Sequence, residues 1–231
     1  MDQVNRAKAL RVVTGMLLTT AAVAGCAQLA TGSGNPDADA PAMMKAAFKS
    51  QGPVTVEAVL NQDQSQKLCS KYAEGLPKDV ARQIEETELK SIKPPSDGKY
   101  LGDWKGGEVV AQNGVGMQFS DKVGGTNGGN CYACHQLAAK EISYGNIGPS
   151  LYRYGKLRGN SDAIVQYTWG KMYDAQAYSG CSNMPRFGHN QVLTEQQMQD
   201  GVALLRGPAS PANHWPFPSL PIAPAPQPAP V

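Results

Sequence analysis

Apolar residues recur three or four positions apart through the otherwise polar segments Val54–Tyr72 and Lys78–Ile92. Val80, Ile84 and, more loosely, Leu89 mark one face of the second, and this period predicts amphipathic helices. Pro94-Pro95 ends that segment, because proline cannot continue a helical hydrogen-bond ladder. Trp104–Phe119 carries Val109, Val110, Val115 and Met117 but is weakened by internal glycines. Small residues there would also let another helix come close. The last helix is the best marked. Thr194 and Gln197 form a capping box, and Leu193 can meet Met198 as a hydrophobic staple. Met198, Val202 and Leu205 then share a face, and Gly207-Pro208 stops the helix. No strand-type alternation persists, so the pattern predicts an all-α chain.

The ends read differently. Arg6, Lys8 and Arg11 precede an apolar stretch, Val12–Ala24, too short for a stable membrane span. This predicts an export signal over residues 1–25. Ala22-Val23-Ala24 fits cleavage before Gly25, whereas Val23-Ala24-Gly25-Cys26 resembles the lipobox of bacterial lipoproteins, with Cys26 lipidated. Either route leads out of the cytosol, to the bacterial periplasm, where disulfides persist. Residues 26–52 include the small, polar stretch Thr31–Pro41 and are expected to be a flexible linker. Residues 214–231 form a Pro-rich tail without a core-building pattern. Between these lie a helical extension, 53–98, and a main domain, 99–213.

Composition narrows the function. With Arg6, Lys8, Arg11 and Asp2 set aside, the 21 basic and 19 acidic residues leave a balanced chain. That argues against nucleic acid as a partner, because phosphate-backbone binding needs a cationic surface. Gly 25 and Pro 17 imply many loops, and five cysteines are too few for a disulfide-dense scaffold.

Cys131-Tyr132-Ala133-Cys134-His135 carries the chemistry. Two thiols three residues apart sit on one helical turn and can add to the two vinyl groups of one heme edge. His135 then presents its imidazole to the iron. A zinc site would need a second ligand pair, and a redox dithiol would need a strand ahead of it, where Gly124–Asn130 is a glycine loop. The reading is one covalently bound heme c. The sixth-ligand candidates are Met184, His189, His214, Met172, Met117 and Cys181. Met184 stands foremost because Pro185 follows it on an irregular loop, and a thioether favours ferrous iron. Pro149 keeps a free carbonyl that can accept the other ring N–H of His135 and fix its tautomer. Cys69 and Cys181 remain, and two leftover cysteines in an oxidising compartment usually pair; two buried free thiols are the alternative.

Gly128–His135, Gly145–Tyr154 (GNIGPSLYRY), Arg158-Gly159, Tyr167–Lys171 (YTWGK) and Cys181–Gly188 (CSNMPRFG) together closely resemble the SoxX family. These are the monoheme cytochrome c subunits of the bacterial sulfur-oxidation system. The resemblance covers roughly Val54 to Asn213. It implies a class I cytochrome c fold, here with the N-terminal helical extension. It implies Cys131 and Cys134 as heme anchors, His135 and Met184 as axial ligands, and Pro149 as the carbonyl. It further implies a heterodimer with a SoxA-like cytochrome, which holds the catalytic cysteine, so that no catalytic residue lies on this chain. The pair would act as an L-cysteine S-thiosulfotransferase in thiosulfate oxidation, serving a SoxYZ-like carrier and an acceptor cytochrome c. The long segment before the heme motif favours a subunit over a free-standing periplasmic electron shuttle, since a shuttle needs no such addition.

Overall fold

The structure, a computed structural model, describes residues 36–213. The expected export signal, Cys26 and the Pro-rich tail with His214 lie outside the described residues. The chain divides between Phe48 and Lys49 into two units. In the first, helix α1 (Pro36–Ala47) occupies part of the span expected to be a linker. Its second half, Met43-Met44-Lys45-Ala46-Ala47, consists of strong helix formers with a cation in the last turn, and these outweigh Pro41.

The second unit begins with α2 (Val56–Leu60) and α3 (Gln64–Lys71). The periodic segment 54–72 is therefore two helices rather than one. Asp63 explains the break: its carboxylate caps the Gln66 N–H, and the Gln66 side chain returns a bond to the Asp63 N–H. A capping box starts a helix, so it also ends whatever precedes it. Helix α4 (Lys78–Ser91) buries Val80, Ile84 and Glu88. Leu89, expected on that face, is exposed. The buried stripe follows the i, i+4, i+8 row and ends on a carboxylate whose partners are described below.

Helix α5 (Trp104–Gln112) packs along α8 (Glu195–Arg206). Gly107 makes this crossing possible: a Cβ there would fall inside the van der Waals radius of the Asp200 carbonyl oxygen. The approach is fastened by Gly102 N–H to Gln199 O at 3.0 Å and Asp103 N–H to Asp200 Oδ1 at 2.8 Å. At the start of α8 the Thr194–Gln197 capping box is present, worth about 1 kcal/mol. Leu193 and Met198 are buried in one core cluster with Val110, Trp169, Met172, Phe187 and Val202.

Helices α6 (Tyr154–Arg158) and α7 (Asp162–Tyr173) complete the set, with short 3₁₀ turns at Cys131–Ala133 and Ala175–Ala177. The Trp169 indole of α7 donates to Lys93 O at 2.8 Å and meets Tyr100 edge-on. The described residues contain no β-sheet, only one isolated bridge between Gln51 and Val54. The fold is all-α. Cys69 of α3 and Cys181 form a disulfide across 112 residues.

Candidate functional site

The motif Cys131–His135 enters through Asn130, which holds φ 45°. The chain then makes one 3₁₀ turn, with Cys134 N–H bonded to Cys131 O at 3.1 Å. The two thiols are not paired with each other. Burial pushes the Cys131 thiol up to about 11, so it stays protonated near neutrality.

The loop 145–151 is laced to this turn by backbone bonds. Gly145 N–H donates to Tyr132 O, Gly148 N–H to Cys134 O and Leu151 N–H to Gln136 O, at 2.8–2.9 Å. This lacing sets the Pro149 carbonyl oxygen 2.7 Å from His135 Nδ1. A carbonyl can only accept, so Nδ1 carries a proton, and in the neutral ring the lone pair is on Nε2. Gly148 lies flat against the imidazole: a Cβ there would overlap the ring atoms Cε1 and Nε2. The ring is thus held from the side by a carbonyl and from one face by backbone.

One cavity of about 710 Å³ is lined by Cys131, Cys134, His135 and Pro149 on one side and by the loop Ser179–Phe187, Met184 included, on another. Its volume falls within the range of about 300–1,000 Å³ typical of small-molecule and cofactor sites. Val110, Leu137, Leu151, Leu204 and Leu205 give it apolar walls, and Arg158, Lys171 and Tyr167 add polar groups. Burial lowers the Lys171 ammonium, against the pull of Glu85 and Asp174. An apolar chamber with two thiols, an imidazole of fixed tautomer, a thioether and two cations matches the needs of a porphyrin with two vinyl groups, an iron and two carboxylates. The residues present fit the group.

Among the sixth-ligand candidates the structure separates several. Met117 and His189 do not line the cavity, and Cys181 is consumed by the disulfide. Met172 lines it but is 9% exposed in the core, with its sulfur turned toward Gly201 of α8. Met184 is half-buried on an irregular loop, its N–H 3.3 Å from Ser182 Oγ, and packs against the same core cluster.

Sequence reasoning missed Arg186. This residue is 4% exposed and paired with three carboxylates. Nε meets Asp174 at 2.8 Å, Nη2 meets Glu88 at 2.7 Å, and Nη1 meets Asp63. His189, one of the sixth-ligand candidates, instead has both ring nitrogens 3.0 Å from Arg186 Nη2. Glu88, Asp174 and His189 have ligand-type spacing, but the Arg186 guanidinium already occupies that centre, bonded to both carboxylates. Ser65 also bonds Glu88. Burial raises the Asp174 carboxyl despite Arg186, whereas for Asp63 the Gln66 N–H and Arg186 prevail over burial and hold it below its ordinary value. No local signal announced this cluster, because its members come from four separate segments.

The site therefore defines an all-α protein with a thiol, imidazole and thioether chamber. No family model matches the chain. A protein of Aquifex aeolicus (strain VF5), described as an uncharacterized lipoprotein, is 39% identical over 162 residues, covering 68% of this chain and 75% of the relative. The chain belongs to the same family as that lipoprotein.

Proposed function

We propose that the chain is a c-type cytochrome, the electron-transfer subunit of a SoxAX-like L-cysteine S-thiosulfotransferase. The observation that carries this reading is the shared cavity, into which Cys131, Cys134, His135 and Met184 converge. The α5–α8 crossing supports a class I cytochrome c fold, in which the first and last domain helices pack beside the cofactor.

In this reading Cys131 and Cys134 would anchor the heme through thioethers, and His135 and Met184 would be the ligands to its iron. The bound heme supplies a one-electron couple. Pro149 holds His135 as the Nδ1–H tautomer and makes Nε2 a stronger donor. Met184 favours the ferrous state and so raises the potential. The apolar walls exclude water, and Arg158 and Lys171 offset carboxylate charge. The chain relays electrons from a SoxA-like partner, where sulfur chemistry occurs on a SoxYZ-like carrier, to an acceptor cytochrome c. The name of the Aquifex relative supports an extracytoplasmic, lipid-anchored chain, and the lipobox-like Val23-Ala24-Gly25-Cys26 would put the lipid on Cys26. No helix among the described residues is long and apolar enough to cross a membrane.

The test is co-purification of the mature chain with a SoxA-like cytochrome, followed by thiosulfate-dependent reduction of the heme. A stable heterodimer whose heme is reduced is expected. A monomer inert toward both would remove the subunit reading and leave a free-standing shuttle.

A further inference from the structure

Every group in the cavity comes from residues 107–205, yet the chain folds α3 and α4 of the 53–98 extension against the same unit. Where that extension attaches is informative. Gly180 N–H donates to Glu85 Oε1 of α4 at 2.9 Å. Cys181 is bonded to Cys69 of α3. Arg186 reaches Asp63, the cap residue of α3, and Glu88 of α4. All three attachments fall on the loop that carries Met184. They bracket it, the disulfide three residues before and the guanidinium two residues after.

From this bracketing we propose that the extension is a clamp for the Met184 loop, with Arg186 as its positioning residue. The inference rests on the covalent-heme reading. Thioether ligation is the weaker of the two axial bonds, and an irregular loop held only by its ends would spend part of its time withdrawn. Fastening both flanks to packed helices removes that freedom during folding rather than at ligation. The geometry suits the task. Arg186 spends all three guanidinium nitrogens on carboxylates from α3, α4 and the Asp174 turn, so the loop cannot shift without breaking several charge-assisted bonds together. A lysine gathers its three donors on one nitrogen and cannot span this planar fork.

Imidazole binding to the ferric protein tests the clamp, because imidazole competes with Met184 for the sixth position. Wild type, Arg186→Lys, Asp63→Asn and the control Thr194→Ala, which removes the cap of α8 instead, are compared. Mass spectrometry reports covalent heme, and the near-infrared thioether–iron band reports ligation. Arg186→Lys is expected to retain covalent heme, weaken the band and bind imidazole about tenfold more tightly, since the open form becomes more populated. Asp63→Asn should move the same way by less, and Thr194→Ala should lower the melting temperature without changing imidazole affinity. If Arg186→Lys does not fold, Asp63→Asn decides alone. Wild-type imidazole affinity in the loop variants that fold, or an equal rise in the control, would overturn the clamp while leaving the heme reading standing. Wild type without covalent heme would overturn both.

Discussion

His135 Nδ1 and the carbonyl oxygen of Pro149 stand 2.7 Å apart, with Gly148 pressed against the imidazole between them in sequence. Adding one methyl group at position 148 should therefore disturb the ring directly. Gly148→Ala is expected to cost about 1–3 kcal/mol through overpacking. Urea unfolding monitored at the heme absorption would show a lower midpoint. An unchanged midpoint would mean the ring is held elsewhere.

Met184→Ala should abolish the near-infrared thioether–iron band and lower the reduction potential, because an acceptor of electron density from ferrous iron is lost. His135→Ala should prevent stable heme incorporation altogether. A Met184→Ala protein with the wild-type spectrum would transfer the role to Met172, the other cavity methionine.

The Cys69–Cys181 bridge closes a loop of about a hundred residues, worth roughly 4–5 kcal/mol if chain entropy dominates. The double variant Cys69→Ser/Cys181→Ser should lose stability of that order in denaturant titration. Alkylation of native, unreduced protein should label neither cysteine. Labelling of both would contradict the bridge.

Acid sensitivity follows from Asp63. Its carboxyl titrates below its ordinary 3.8, so its contribution to stability is present above that pH and fades as pH falls through the lower folded value. Asp174 has the opposite sign. Burial raises it, so its contribution is greatest below 3.8 and declines as pH rises through the higher folded value. Asp63→Asn should flatten the acid limb of the stability–pH curve, measured by thermal melting from neutral pH downward. An acid limb as steep as wild type's would show that Asp63 keeps no pairing in the fold.

Local chemistry made some of this architecture legible in sequence. Thr194 and Gln197 announced the start of α8 because a capping box lies within four residues, and the glycines of α5 announced a close helix neighbour. Cys69 and Cys181 were matched by their scarcity, not by any pattern. What escaped notice depends on distance or competing signals. Helix α7 buries Thr168, Trp169 and Gly170 in succession and then Met172, so it lacks the one-sided stripe that marks a surface helix. The break at Asp63 was hidden because the apolar period runs on across it. Glu88 carries no local mark in the sequence, and only the fold brings it to Arg186, 98 positions away. In the same way, Met184-Pro185-Arg186 pointed to Met184 alone, although the cation beside it carries the attachment to α3 and α4.

The most direct measurement is the intact mass and absorption spectrum of the mature chain purified from a host competent in cytochrome maturation. The account predicts a red protein whose mass exceeds that of the polypeptide by one heme, linked at Cys131 and Cys134. A colourless protein of polypeptide mass, with both thiols free to alkylation after unfolding, would contradict it.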